Sequence, residues 1–313
     1  MQYKQFAGRK LSRLMIGTVQ FGLNYGVANK TGQPSFRDVC DILSAAFAGG
    51  VTCLDTARAY GTSEDVLGQA LAELGMADKV TVVTKIAHLD DGLTAAEAER
   101  QIEESVTQSL KRLRLKTLPI CLIHHEESFQ YFDSVLKLKE RGLVEEVGAS
   151  VMTPPMAKTI VNSGKVAAMQ MPTSVLDRRY VRAGVFKDCR MRGVALFVRS
   201  IYLQGLLLMQ DADVPAPLAP AVTPVLGKLR ALAAEAGMSL AEMAVRYVLA
   251  LEGVTCGVVG VETVAQMKDN IAIFNRGPLD ASLMRAVTAA VPDLPDSILM
   301  PNKWPNDKSP KKQ

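Results

Sequence analysis

The chain has 313 residues, 48% hydrophobic and 22% charged, with a formal net charge of +4. That balance excludes a disordered or collagen-like chain, and no basic face interleaved with aromatics marks a nucleic-acid binder. The five cysteines are dispersed and never paired as C-x-x-C, and no apolar run reaches membrane-spanning length, so a reduced, cytoplasmic protein with no membrane partner is expected.

Residues 1–13 are expected to form a small hairpin turning at Gly8. Near-continuous apolar runs then recur at 14–18, 51–55, 80–85, 119–124, 144–150, 166–171, 194–200 and 254–260. Uninterrupted rather than alternating apolarity predicts parallel strands buried on both faces. Between them lie amphipathic segments: 36–48 after Ser35, 63–73 opening on Ser63 and Glu64, and 94–112 with a T-x-x-E capping pattern. Further helices are predicted over 128–140, 153–163, 178–191, 223–250 and 262–275. A helix after each of eight strands predicts an α/β fold, a (β/α)8 TIM barrel with right-handed crossovers, as one domain over 1–300. A doubly wound open sheet is the alternative, and it lacks both G-x-G-x-x-G and G-x-x-x-x-G-K-[ST]. The Pro/Ala-rich segment 211–224 reads as a long loop and 301–313 as a basic, flexible tail.

In such a barrel the chemistry gathers at the carboxyl ends of the strands. The second predicted strand ends in Asp55, the third in Lys85 and the fourth in His124, with Tyr60 in the loop after Asp55. Singly, each has a plain structural use, as a cap, a rim charge or a histidine satisfied by a backbone carbonyl. Together they suit acid catalysis. A phenol titrates near ~10, and an adjacent ammonium favours phenolate and so makes the phenol a better proton donor. A buried lysine needs an anion to stay charged, a role open to Asp55. His124 would orient and polarise the same carbonyl.

The stretch LDTARAYGTSEDVLGQAL (54–71) resembles the signature of the aldo-keto reductase superfamily, in which Asp and Tyr flank a D-T-A-x-x-Y-G loop. The resemblance runs on through TK (84–85), LIH (122–124), GAS (148–150), MQMPTSVLDRR (169–179), RSIYLQGLLL (199–208) and VVGVETVAQMKDN (258–270). It implies that Asp55, Tyr60, Lys85 and His124 are the catalytic tetrad. It also implies NADPH, or NADH, bound extended across the barrel mouth without a Rossmann motif. Ser150 and Gln170 match positions that hold the nicotinamide carboxamide; Ser200, Tyr202, Leu203 and Gly205 match the pyrophosphate loop; Gly260, Thr263, Gln266 and Asn270 match the adenosine side.

Three positions depart from the family pattern. Val151 stands where Asn often follows the serine, so one hydrogen bond is missing. Arg199 replaces the tyrosine that often stacks on nicotinamide. It is expected to stack there and favour the neutral, reduced ring, or else to turn toward the pyrophosphate or a substrate anion. In the loop after the last strand, Glu262 stands where a cation often selects the 2′-phosphate, and Lys268 lies further along the helix. Family habit points to NADPH; the local charge points to NADH or to dual use.

The reading is an oxidoreductase reducing a small carbonyl substrate, with a sugar or other polyhydroxylated carbonyl expected from a polar lining of Phe21, Asn24, Tyr25, His125, Glu126, Tyr202 and Trp304. His88 is a further candidate at the mouth. The alternatives are an NADPH-binding sensor with negligible turnover and a Schiff-base aldolase using Lys85. Oligomeric state is not legible, and no metal site is expected.

Overall fold

The computed structural model describes residues 1–26, 32–90 and 92–304. Its first element is the expected hairpin: Tyr3–Phe6 (β1) pairs antiparallel with Arg9–Ser12 (β2) around left-handed Ala7 and Gly8. The eight predicted strands follow as Leu14–Gly17 (β3), Cys53–Asp55 (β4), Thr81–Lys85 (β5), Leu118–Ile123 (β6), Val144–Ser150 (β7), Ala168–Pro172 (β8), Ala195–Arg199 (β9) and Val254–Gly260 (β10). All pair in parallel, and β10 hydrogen-bonds to β3, which closes a TIM barrel.

Two apolar clusters explain the uninterrupted hydrophobic runs. Met15, Cys53, Val83, Ile120, Leu122, Ala168, Phe197, Cys256 and Val258 fill the barrel, while their neighbours Ile16, Leu54, Val82, Cys121, Ile123, Met169, Leu196 and Val259 pack outward under the helices. Leu11 of the hairpin belongs to the inner cluster and Phe6 packs against it, so the hairpin lies against the amino-terminal end of the barrel. Alternation along each strand then decides what faces inward at the other end. One step of two residues beyond this inner layer lie Asp55, Lys85, His124, Gln170, Arg199 and Gly260.

The helical layer departs from expectation in several places. The predicted T-x-x-E box is formed, with Thr94 accepting from Glu97 N and Glu97 reaching back, at the head of Ala95–Leu113. The segment 223–250 is two helices, Ala219–Glu235 and Leu240–Ala250, because Gly237 adopts φ +65° and Ser239 caps the second. The expected loop 211–224 is corrected: it holds a short turn at Asp211–Asp213 and the start of the first of these helices. Pro220 falls in that helix's first turn, where a missing N–H costs nothing, and Val222, Val225 and Leu226 are buried. Segment 178–191 likewise breaks at left-handed Gly184, and a helix over Ala281–Ala290 was not predicted. Of the expected tail, residues 301–304 are folded as a turn, Pro301–Lys303, and Trp304, while 305–313 lie outside the described residues. No helix among the described residues is long and apolar enough to cross a membrane.

Candidate active site

The carboxyl ends of β4, β5 and β6 bring Asp55, Lys85 and His124 to one mouth. Lys85 is fully buried; its ammonium donates to Asp55 Oδ1 at 2.7 Å and to the Thr56 carbonyl at 2.8 Å. Burial alone would strip its proton, but the Asp55 carboxylate and the Tyr60 hydroxyl outweigh that, so its pKa is raised and it stays charged. The same ammonium sits 5.0 Å from the centre of the Tyr60 ring, and that ring meets His124 edge to face at 5.7 Å.

The loop carrying Tyr60 is held by a close backbone approach. A Cβ on Gly22 would lie 2.0 Å from the Tyr60 carbonyl and 2.3 Å from Ser63 N, so only glycine lets the short helix Val19–Gly22 pack there. Below it, Ser63 Oγ donates to Thr18 O at 2.7 Å and lies 3.0 Å from Thr56 Oγ1, which ties this loop to the ends of β3 and β4.

His124 is a neutral imidazole. Burial first, then the Lys85 ammonium, His125, the Arg199 guanidinium and His88, push its pKa down to about 2. Its Nδ1 is buried with no partner among the described residues. His125, the next residue, points away from the barrel interior. Its ring lies 5.0 Å from His124 and 4.7 Å, edge to face, from His88, so all three of the chain's histidines meet at one side of the rim.

The residues matched to the nicotinamide side are paired across adjacent strands. Ser150 and Gln170 are register partners on β7 and β8, and both are buried. Gln170 Nε2 donates to Asp55 Oδ1 at 2.7 Å, leaving its buried Oε1 with no partner among the described residues. An unpartnered buried acceptor costs about 1–3 kcal/mol, so this one fits a ligand amide N–H such as that of a nicotinamide carboxamide. Val151, where the family often has Asn, is fully buried in the outer cluster.

On the adenosine side, Thr263 and Gln266 are committed to a capping box at the head of Val264–Asn275. Gln266 also takes the Glu262 N–H at 2.7 Å and donates to Glu262 Oε2 at 2.9 Å. Gln20, which the sequence did not suggest, reaches Glu262 Oε1 at 3.4 Å, and a Cβ on Gly260 would strike its amide at 2.5 Å. Asn270 is buried on the same helix. A cavity of about 260 Å³ opens beside this turn, lined by Ser35, Asp38, Glu262 and Thr263 among others.

The loop after β9 is conformationally tense: Ser200, Leu203 and Gln204 have φ of +62°, +47° and +53°, with Gly205 at +93°. Left-handed non-glycine residues cost on the order of 1 kcal/mol each and gather where geometry matters more than comfort. Gln204 donates to Tyr25 Oη at 3.2 Å, joining the rim loops of β3 and β9. Arg199 spans the mouth from the end of β9. Its guanidinium donates to Val151 O at 3.2 Å, to Ser200 Oγ at 3.4 Å and to Met152 Sδ at 2.8 Å.

Five residues expected at the pocket or the cofactor are packed or hydrogen-bonded within the fold itself. Phe21 is fully buried in the outer cluster. The Leu203 side chain is buried there too, and Tyr202 packs against it, which leaves backbone as the contribution of Leu203 to any ligand. Glu126 is not a rim acid: its carboxylate is buried and accepts from Met152 N, Thr153 N and Thr153 Oγ1, holding the start of Pro154–Asn162. Trp304 packs on the outer cluster with its indole N–H on the Ile298 carbonyl at 2.8 Å. Glu64, expected only at the opening of a helix, has a buried carboxylate that accepts from Thr84, the residue before Lys85, at 2.7 Å. Its position in the first turn of Ser63–Glu73 made it look like a helix-capping acid.

Comparison with known proteins agrees with this fold. A model of the aldo/keto reductase family matches residues 13–292. The NADH-specific methylglyoxal reductase of Escherichia coli (strain K12) is 24% identical over 90% of this chain and 96% of its own length. L-galactose dehydrogenase of Arabidopsis thaliana is 25% identical over 85% of each chain. Among solved structures, an aldo-keto reductase from Bacillus halodurans in its holo form superposes with a TM-score of 0.78, at 21% identity, over 97% of this chain and all of that one; this likeness is one of fold.

Proposed function

The chain belongs to the aldo/keto reductase family, and from that premise we propose that it reduces an aldehyde or ketone to the alcohol with Tyr60 as the proton donor. The observation that carries the reading is the buried chain of contacts from Asp55 through Lys85 to Tyr60, with neutral His124 against the Tyr60 ring. A reduced nicotinamide, when bound, supplies the hydride. Ser150 and the free Oε1 of Gln170 would hold its carboxamide.

The chain's own residues manage the proton. Tyr60 Oη gives its proton to the substrate oxygen, and the Lys85 ammonium stabilises the phenolate left behind. Asp55 keeps Lys85 charged out of water. His124, neutral at working pH, donates an N–H to the same oxygen without competing for its proton. The reverse reaction, alcohol oxidation, uses the same groups in the opposite order.

Of the two dinucleotides, NADH is favoured by Glu262, which would accept from a ribose hydroxyl and repel a 2′-phosphate. NADPH, the habit of the family, remains a substrate of lower affinity in this reading. The rim offers hydrogen-bonding groups in Tyr25, His88, His125 and Arg199, which suits a sugar or other polyhydroxylated carbonyl. The test is a panel of sugar and simple aldehydes with NADH and NADPH in parallel. Turnover of sugar aldehydes, faster with NADH, is expected; tight cofactor binding with no reduction of any aldehyde would contradict it and leave a cofactor-binding sensor.

A further inference from the structure

The charged groups at the mouth differ in how they are answered. Asp55 answers Lys85 at 2.7 Å. Glu126 is spent on backbone N–H groups behind the β7 loop, and Glu262 on Gln266 and Gln20. Arg199 has only neutral acceptors: a carbonyl, a hydroxyl and a thioether, with no carboxylate within 4.0 Å among the described residues. It is half-buried and faces inward from the same level of the barrel as Lys85 and His124.

A half-buried cation without a counter-ion is open to an anionic partner, and a guanidinium presents a planar fork that matches carboxylate and phosphate oxygens. Its direction narrows the choice of anion. The side chain crosses the end of β8 to reach the carbonyl of Val151, just past β7, toward the side where His124 stands, rather than running out along the Tyr202–Gly205 loop. His125 and His88 stand beside His124 on the rim loops of β6 and β5, with imidazole groups suited to hydroxyls.

We propose that Arg199 binds a carboxylate or phosphate group carried by the carbonyl substrate, so that the chain reduces acidic sugars and other anionic carbonyls in preference to neutral ones. This rests on the reductase reading above. A second source of the same anionic chemistry, the cofactor pyrophosphate, is separated from it by experiment.

The experiment compares kcat/KM for matched pairs, glucuronate against glucose and glyceraldehyde phosphate against glyceraldehyde, in the wild type, Arg199→Gln and Arg199→Lys. The wild type should favour the charged member by about tenfold or more, the usual worth of a charge-assisted hydrogen bond. Arg199→Gln should bring the ratio near unity, and Arg199→Lys should keep part of it. No preference in the wild type overturns the proposal. So does a ratio unchanged in Arg199→Gln while both rates fall together and the cofactor Kd rises, which would assign the guanidinium to the pyrophosphate. Should neither pair be reduced, the reductase reading fails, and calorimetry of glucuronate with the cofactor-loaded protein still decides the matter. About tenfold weaker binding by Arg199→Gln supports the site, and equal binding sinks it.

Discussion

Lys85 Nζ and Gln170 Nε2 converge on the same oxygen, Asp55 Oδ1, each at 2.7 Å. One carboxylate oxygen therefore holds the lysine that tunes the proposed acid and the glutamine proposed to meet the cofactor. Side chains from β4, β5 and β8 are joined inside the barrel by that atom.

Removing the charge at this junction should be severe. Asp55→Asn leaves a buried ammonium without its anion, a change that typically costs about 3–5 kcal/mol. Urea denaturation at neutral pH would show it. The pH dependence gives a sign check. The folded pKa of Lys85 lies above its ordinary 10.5, so the pair's contribution is complete below 10.5 and is lost as pH rises through the raised value. Wild-type stability should hold to higher pH than that of the variant. Coincident curves would mean that Asp55 does not support the lysine.

His124 predicts the opposite slope. Its folded pKa is pushed down to about 2 from 6.5, so its contribution to stability is complete above 6.5 and is lost as pH falls toward the folded value. Between those limits the unfolded chain takes up a proton that the folded chain refuses. Denaturation midpoints of wild type and His124→Gln should therefore draw together as the solution is acidified. Parallel midpoints would argue that the imidazole carries its proton in the fold.

Gln170→Leu removes the free amide oxygen proposed for the carboxamide. Losing one hydrogen bond to a buried partner costs about 1–1.5 kcal/mol, so the Kd for the dinucleotide should rise about tenfold. Fluorescence titration reads this directly. An unchanged Kd would place the nicotinamide elsewhere.

Glu262→Lys should turn the cofactor preference toward NADPH. The site is partly exposed, where one pair of charges is worth roughly 1 kcal/mol, so a shift of about fivefold or more in the NADPH-to-NADH Kd ratio is expected, shrinking in high salt. A ratio that ignores the substitution would remove Glu262 from the ribose site.

Much of this site was legible because two residues of a strand cannot face the same way. His124 and His125 are adjacent, and the apolar run before them sets which one enters the barrel: Ile120 and Leu122 face in, so His124 does too. The partner of Glu126 was not legible, because nothing in its sequence neighbours shows that it binds the turn ahead of the helix after β7, 26 residues away. The burial of Phe21 was hidden for the same reason, since its loop folds back as a short helix against the Tyr60 segment. Local pattern specifies periods and caps; it does not specify which distant backbone a loop side chain will meet.

The central claim is that Tyr60 supplies the proton, and Tyr60→Phe tests it with the least disturbance of shape. Single-turnover reduction and cofactor titration on the same preparation give both readings. The account predicts a rate lower by about 10²–10⁴-fold, the usual worth of a positioned general acid, with the dinucleotide Kd nearly unchanged. A variant that reduces carbonyls at close to the wild-type rate would contradict it.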